Sequence, residues 1–183
     1  MQDGKSRFVE RQIERRKEQF IAMSLEENED FFIIDIEVVI KGTRIEGDLL
    51  ALVKQPDGSY RFLPIELKLA SKNCHTAAQQ GCEFAKIVKE NYGDFHKNYQ
   101  MIYDQKWRKI MNKKPIRITT DEEVNEALVL IITAESTVMS NKEKHNIAMV
   151  REHANQIVEC SVKVLAMTEQ EFVDFGWRQL MGS

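Results

Sequence analysis

The sequence predicts an α/β domain in which a mixed central sheet is flanked by helices. Three observations predict it. A segment of helical period opens the chain, three β-prone runs crowd into residues 31–70, and a continuous apolar run at 126–135 lies between further amphipathic stretches.

From Ser6 to Glu27, Val9, Ile13 and Phe20 form one stripe while Arg11, Arg15, Arg16, Lys17 and Glu18 fall off it, which predicts an amphipathic helix with Ser6 as its N-cap. Phe31 to Ile40, F-F-I-I-D-I-E-V-V-I, is rich in β-branched and aromatic residues and is closed by Lys41-Gly42, so it reads as a strand. Asp35 and Glu37 share a face of that strand, most simply a solvated one.

Arg44 to Ala70 reads as a β-hairpin. Both arms alternate with period two, and Gln55-Pro56-Asp57-Gly58 between them is turn chemistry. Proline presets φ at the second position of a type I turn, aspartate suits the third, and glycine accepts the left-handed conformation of a G1 bulge. The resulting three-residue loop sets Gln55 opposite Ser59. Antiparallel partners keep a constant sum of residue numbers, so Asp48 falls opposite Glu66, with Cβ atoms about 5 Å apart, and Lys68 joins them on the same face. Pro64 removes a ladder hydrogen bond within this arm and predicts a bulge or an unpaired position. The first strand and the two arms then form a meander.

Ser71 or Asn73 can cap a helix from His75 to Tyr92, whose buried face is Ala77, Ala78, Phe84, Ala85 and Val88. Gly93 breaks it, and Phe95 to Met111 reads as a second helix. This one carries Lys106, Arg108 and Lys109 and runs into Lys113, Lys114 and Arg117, with Tyr99, Tyr103 and Trp107 interleaved. Cations among aromatics can grip a phosphate backbone and stack on bases. The same spacing equally describes a core stripe beneath a solvated basic face. Glu126 to Glu135 reads as a buried central strand, Asn141 to Ile157 as a helix and Cys160 to Ala166 as a strand. Thr168 and Glu171 stand in capping-box spacing for a short last helix.

Directly opposed carboxylates destabilise a sheet and resist ionising together. A divalent cation reverses that penalty, and one or two carboxylates with positions left for water and phosphate describe a Mg²⁺ site, or equally Mn²⁺. Lys68 could orient an attacking water or offset charge developing on a phosphate. A lone E-x-K tripeptide is otherwise a pair of solvent-facing charges on a half-exposed strand.

Asp48 followed by Glu66-Leu67-Lys68 resembles the signature of the PD-(D/E)xK nuclease superfamily, an acid on one strand and (D/E)-x-K on the next. The resemblance implies a restriction-endonuclease-like αβββαβ core, divalent-metal dependence and hydrolysis of nucleic-acid phosphodiesters, DNA being favoured. Gly47 stands where the motif's namesake proline would be. An acidic residue of the first helix often lies near the metal in that superfamily, which points to Glu10 first and Glu14 second. Gln80, with Phe84 one turn on, resembles the Gln-x-x-x-Tyr pattern of the exonuclease branch related to bacterial recombination helicases; Gln79 replaces Gln80 if the helix phase differs. The expected catalytic set is therefore Asp48, Glu66, Lys68, Gln80 and Glu10, with Asp48 and Glu66 on the metal. Many relatives act as homodimers.

The chain's 183 residues, 43% of them hydrophobic, suit one domain over residues 1–183. A formal net charge of −3 argues against a protein that coats nucleic acid indiscriminately, while leaving room for a locally basic groove. Cys74, Cys82 and Cys160 form no C-x-x-C pair, and no signal-peptide-like or membrane-length apolar stretch is present, so a cytoplasmic protein without membrane attachment is expected. His75, His96, His145 and His153 make no metal spacing. The chain lacks G-x-x-x-x-G-K-S/T, G-x-G-x-x-G and G-x-S-x-G, which disfavours nucleotide-driven motors, dehydrogenases and serine hydrolases.

Overall fold

Pro56-Asp57-Gly58 closes the hairpin around which the sheet is built: Gly58 N–H donates to Gln55 O (2.9 Å), Gln55 N–H donates to Ser59 O (2.7 Å), and Gly58 takes φ +80°. This is the type I turn with a G1 bulge that the turn residues dictate. The computed structural model describes residues 30–39, 46–110, 114–121, 124–133, 139–168 and 171.

Five strands form one sheet in the order β1-β2-β3-β4-β5. They are β1 (Phe31–Val39), β2 (Glu46–Lys54), β3 (Tyr60–Leu69), β4 (Glu126–Thr133) and β5 (Ser161–Thr168). The first three pair antiparallel, and β3 with β4 and β4 with β5 pair parallel, so the sheet is mixed. Three α-helices are described: α1 (Ala77–Glu90), α2 (Tyr92–Ile102) and α3 (Asn141–Gln156). The chain is thus α/β, with the meander and the buried parallel strand in their expected places. The expected helix 6–27 lies outside the described residues.

The β2–β3 register runs without a shift from Lys54–Tyr60 to Leu49–Ile65. Pro64 therefore needs no bulge. The Gln55–Ser59 pair is hydrogen-bonded, and alternation makes Leu50–Pro64 a non-hydrogen-bonded pair, so the missing N–H faces away from β2. It also precedes Ile65–Leu128, the first pair with β4.

A bulge falls in β1 instead, between Ile33 and Asp35. It turns both Ile34 and Asp35 towards α2: Ile34 joins the core there, and Asp35 Oδ2 accepts from the Tyr99 hydroxyl at 2.6 Å. Asp35 is accordingly half-buried rather than solvated, whereas Glu37 is exposed and carries φ +53°.

Leu50, Leu52 and Phe62 pack with Phe84, Val88, Tyr92, Phe95 and Tyr99 of α1 and α2. Ala77 and Ala78 pack with Val129, Ile131, Ile147 and Val150, which ties α3 to the same side of β4. On the alternate positions Phe31, Leu49, Ala51, Ile65, Leu67 and Leu128 form a separate cluster. Each fully buried large side chain contributes about 1.5–3 kcal/mol.

Three helix boundaries differ from expectation. Thr76, not Ser71 or Asn73, precedes α1 and makes no side-chain cap bond, while Asn73 Oδ1 accepts from His75 N–H (3.0 Å) in a local turn. Asn91 ends α1, and Gly93 lies in the first turn of α2. The second helix changes character at Tyr103 and continues to Ile110 as a π-helix, a rare form frequent at functional sites. Residues 116–119 lie beside α2, held by Gln100 at Ile116 O and Ile118 N–H and by the Tyr92 hydroxyl at Thr119 O, and Ile118 makes a parallel bridge to Tyr60. Thr168 and Glu171 make the reciprocal bonds of a capping box, as their spacing predicts.

Candidate active site at the end of β2 and β3

One step beyond the last paired residues of β2 and β3, the carboxylates of Asp48 and Glu66 reach a single ammonium. Lys68 Nζ donates to Glu66 Oε1 and lies 4.0 Å from Asp48 Oδ2. The hairpin register brings this about, because its constant offset carries Asp48 towards Glu66 once Gln55 faces Ser59. The ladder itself stops short. Alternation directs the Leu67 N–H at β2, and the Asp48 carboxylate takes it at 2.6 Å. Asp48 therefore fastens the two strands through a charge-assisted bond where backbone pairing has ended.

Glu66 stands in an apolar wall. Its side chain is 3% exposed, its neighbour on β4 is Val129, and a Cβ on Gly81 of α1 would lie 3.7 Å from its own Cβ. An ionised carboxylate in that setting needs compensation. Lys68 offers one ammonium against two carboxylates, a formal charge of −1 if all three are ionised. Its side chain and that of Asp48 are each 24% exposed, leaving the group open on one side.

Two carboxylates converging from neighbouring strands beside water are a donor set that fits a hard divalent cation completed by water and phosphate oxygens. Among the described residues no group of three or more His, Cys, Asp or Glu side chains converges as a metal site. Two oxygen donors alone leave positions that Mg²⁺ or Mn²⁺, which keep waters, would fill with water and phosphate oxygens. The trio also lies near the carboxyl end of β3, the end at which parallel α/β sheets present ligand crevices.

Gln80 is exposed and accepts from the Thr76 hydroxyl at 3.1 Å, and Gln79 is exposed and donates to Glu83 at 3.0 Å. Their bonds run along the outer side of α1. Phe84, the counterpart of the motif's tyrosine, is fully buried. Glu10 and Glu14 lie outside the described residues, as do Lys113 and the side chains of Lys106 and Trp107. Arg108, Lys109 and Lys114 are exposed, and Arg108 pairs with Asp104 at 3.5 Å. Tyr99 and Tyr103 are not free to stack on bases. Both are buried, and the Tyr103 hydroxyl donates to Lys114 O at 2.7 Å.

A cleft of about 530 Å³ lies at the opposite end of the sheet, lined by His96, Gln100, Asp104, Arg117 and Asp121. It does not reach Asp48 or Glu66. Burial pushes the Cys74 thiol pKa up, opposed by the Lys68 and Lys142 ammoniums, which places both lysines near the loop that follows β3.

The chain matches no protein-family model, no curated protein and no solved structure. No helix among the described residues is long and apolar enough to cross a membrane.

Proposed function

We propose that this chain is a divalent-metal-dependent nuclease of the PD-(D/E)xK kind, on a restriction-endonuclease-like core, hydrolysing phosphodiester bonds of nucleic acid, DNA by preference. The observation that carries the proposal is the meeting of Asp48 and Glu66 at the Lys68 ammonium, on two strands whose hairpin register brings them together.

Asp48 and Glu66 would hold Mg²⁺ or Mn²⁺, which when bound supplies positive charge to a phosphate oxygen and makes a nearby water more acidic. Lys68 donates to Glu66 in the resting site and, turned towards substrate, would hold the attacking water or stabilise the charge that grows on the phosphate; the water oxygen bonds to phosphorus and gives its proton to solvent, while the P–O bond to the leaving strand breaks and the leaving oxygen takes a proton from solvent. The apolar wall of Val129 and Gly81 around Glu66 lowers the local dielectric and strengthens these interactions. Arg108, Lys109 and Lys114, all exposed, would contact the substrate backbone. Glu10 and Gln80 remain assisting candidates.

The test is incubation of end-labelled DNA and RNA with the purified chain and Mg²⁺ or Mn²⁺. Cleavage that chelator stops, and that Asp48→Asn and Lys68→Ala abolish in folded protein, is expected. Binding without cleavage under every divalent metal would point to a non-catalytic module and overturn the proposal.

A further inference from the structure

Lys68 is the last residue of the trio before the chain leaves the sheet, and a buried side chain from another element governs how it leaves. Asn146 of α3, 6% exposed, donates from Nδ2 to Ala70 O at 2.8 Å and to Lys72 O at 2.7 Å. Both amide protons are thus spent on one short segment. The surrounding bonds close the same turn: Ala70 N–H donates to Ile132 O (2.9 Å), Lys72 N–H to Leu69 O (3.0 Å), and the Cys74 thiol contacts Leu69 O and Lys72 O at 3.3 and 3.4 Å.

A buried asparagine between helix and sheet is costly unless its donors are matched, and its neighbours on the inner face of α3, Ile147 and Val150, show that an apolar residue suits this layer. What an apolar residue could not do is donate to the Ala70 and Lys72 carbonyls. Ala70 is itself fully buried, where a carbonyl depends on donors from the protein, and Asn146 supplies one.

We propose that Asn146 is a positioning residue for the chemistry of Asp48, Glu66 and Lys68. By fixing the main chain at 70–72 it fixes the end of β3 from which Glu66 and Lys68 project, and the direction in which the Leu67 N–H meets Asp48. The inference rests on the nuclease reading for its catalytic consequence and on geometry alone for its structural one.

The experiment compares Asn146→Ala with Ser140→Ala in the full chain. Ser140 caps α3 through a complete capping box and makes no contact with residues 70–72 in that role, so its removal is a control for simple loss of helix stability. Two quantities are read at temperatures equally far below each protein's melting midpoint: steady-state cleavage of labelled DNA with Mn²⁺, and amide hydrogen exchange at Leu67. Asn146→Ala is expected to lower kcat at least tenfold with KM within threefold, and to speed Leu67 exchange about tenfold over Ser140→Ala. Equal kcat and equal Leu67 exchange in the two variants would overturn the positioning role. A wild type that never cleaves would sink the nuclease reading instead, and Leu67 exchange would then decide on Asn146 alone. Asn146→Ser, which keeps one donor, should fall between wild type and alanine and serves if the alanine protein does not fold.

Discussion

The ring of Phe84 lies so close over Gly47 that a Cβ on residue 47 would come within 2.3 Å of its Cε1 and Cζ atoms. Phe84 is fully buried and cannot swing out to solvent. The glycine preceding Asp48 is therefore set by packing between α1 and β2, and the position has no room for a proline ring. Gly47→Ala should cost on the order of 1–3 kcal/mol, as overpacking does. In a Phe84→Leu background the same substitution should cost measurably less, because the two residues share one space. Urea denaturation of the four proteins checks this, and strictly additive losses would contradict the contact.

Asp48 has two separable duties, holding the Leu67 N–H and supplying charge. Asp48→Asn keeps an acceptor oxygen and should remain close to wild type in stability while losing metal-dependent cleavage. Asp48→Ala leaves the Leu67 amide without its carboxylate and should be less stable than Asp48→Asn by about 1–3 kcal/mol. Thermal or urea unfolding separates the two variants, and equal stabilities would show that the carboxylate does not fasten the strands.

The fold was legible from the turn outward. Pro56-Asp57-Gly58 determines loop length, loop length determines register, and register carries Asp48 to Glu66, a chain of steps that uses only neighbours in sequence. The continuous apolar run of β4 likewise announced a strand buried between neighbours on both sides. What could not be read depends on distant partners. The bulge that turns Asp35 to Tyr99 across 64 residues leaves no local mark in an unbroken β-prone run. Asn146 looks like any polar residue of a helix until Ala70 O and Lys72 O appear beside it. The aromatic spacing at Tyr99 and Tyr103 fitted core and base-stacking alike, and the Asp35 and Lys114 partners resolve it as core.

Buried thiols should make the protein sensitive to alkali. Burial pushes the Cys160 pKa up to about 12 and raises those of Cys74 and Cys82. A raised folded-state pKa means that the folded protein keeps protons which the unfolded chain releases, so this stability is present below the ordinary thiol pKa and is lost as pH rises towards 12. Between pH 9 and 12 the unfolding free energy should fall, and Cys160→Ala should flatten that fall by up to about 1.4 kcal/mol per pH unit. Unfolding titrations at stepped pH test it; identical slopes in the two proteins would contradict it. At pH 8 all three thiols should resist a thiol-specific dye until denaturant is added.

The basic segment should bind without catalysing. Tyr103 packs on Phe32, whose partner Leu52 is four positions along β2 from Asp48, roughly 13 Å at strand spacing. Arg108→Ala with Lys109→Ala should raise KM and leave kcat within twofold. The slope of log affinity against log salt should fall by up to about 2. An unchanged salt slope would remove this surface from the substrate path.

Anomalous scattering from a crystal soaked in Mn²⁺ tests the central claim most directly. The account predicts an ion with carboxylate oxygens of both Asp48 and Glu66 at about 2.1 Å, the remaining positions filled by water, and no ion in Asp48→Asn crystals treated alike. An ion bound elsewhere with this pair left bare, or no ion at all under saturating Mn²⁺, would contradict it.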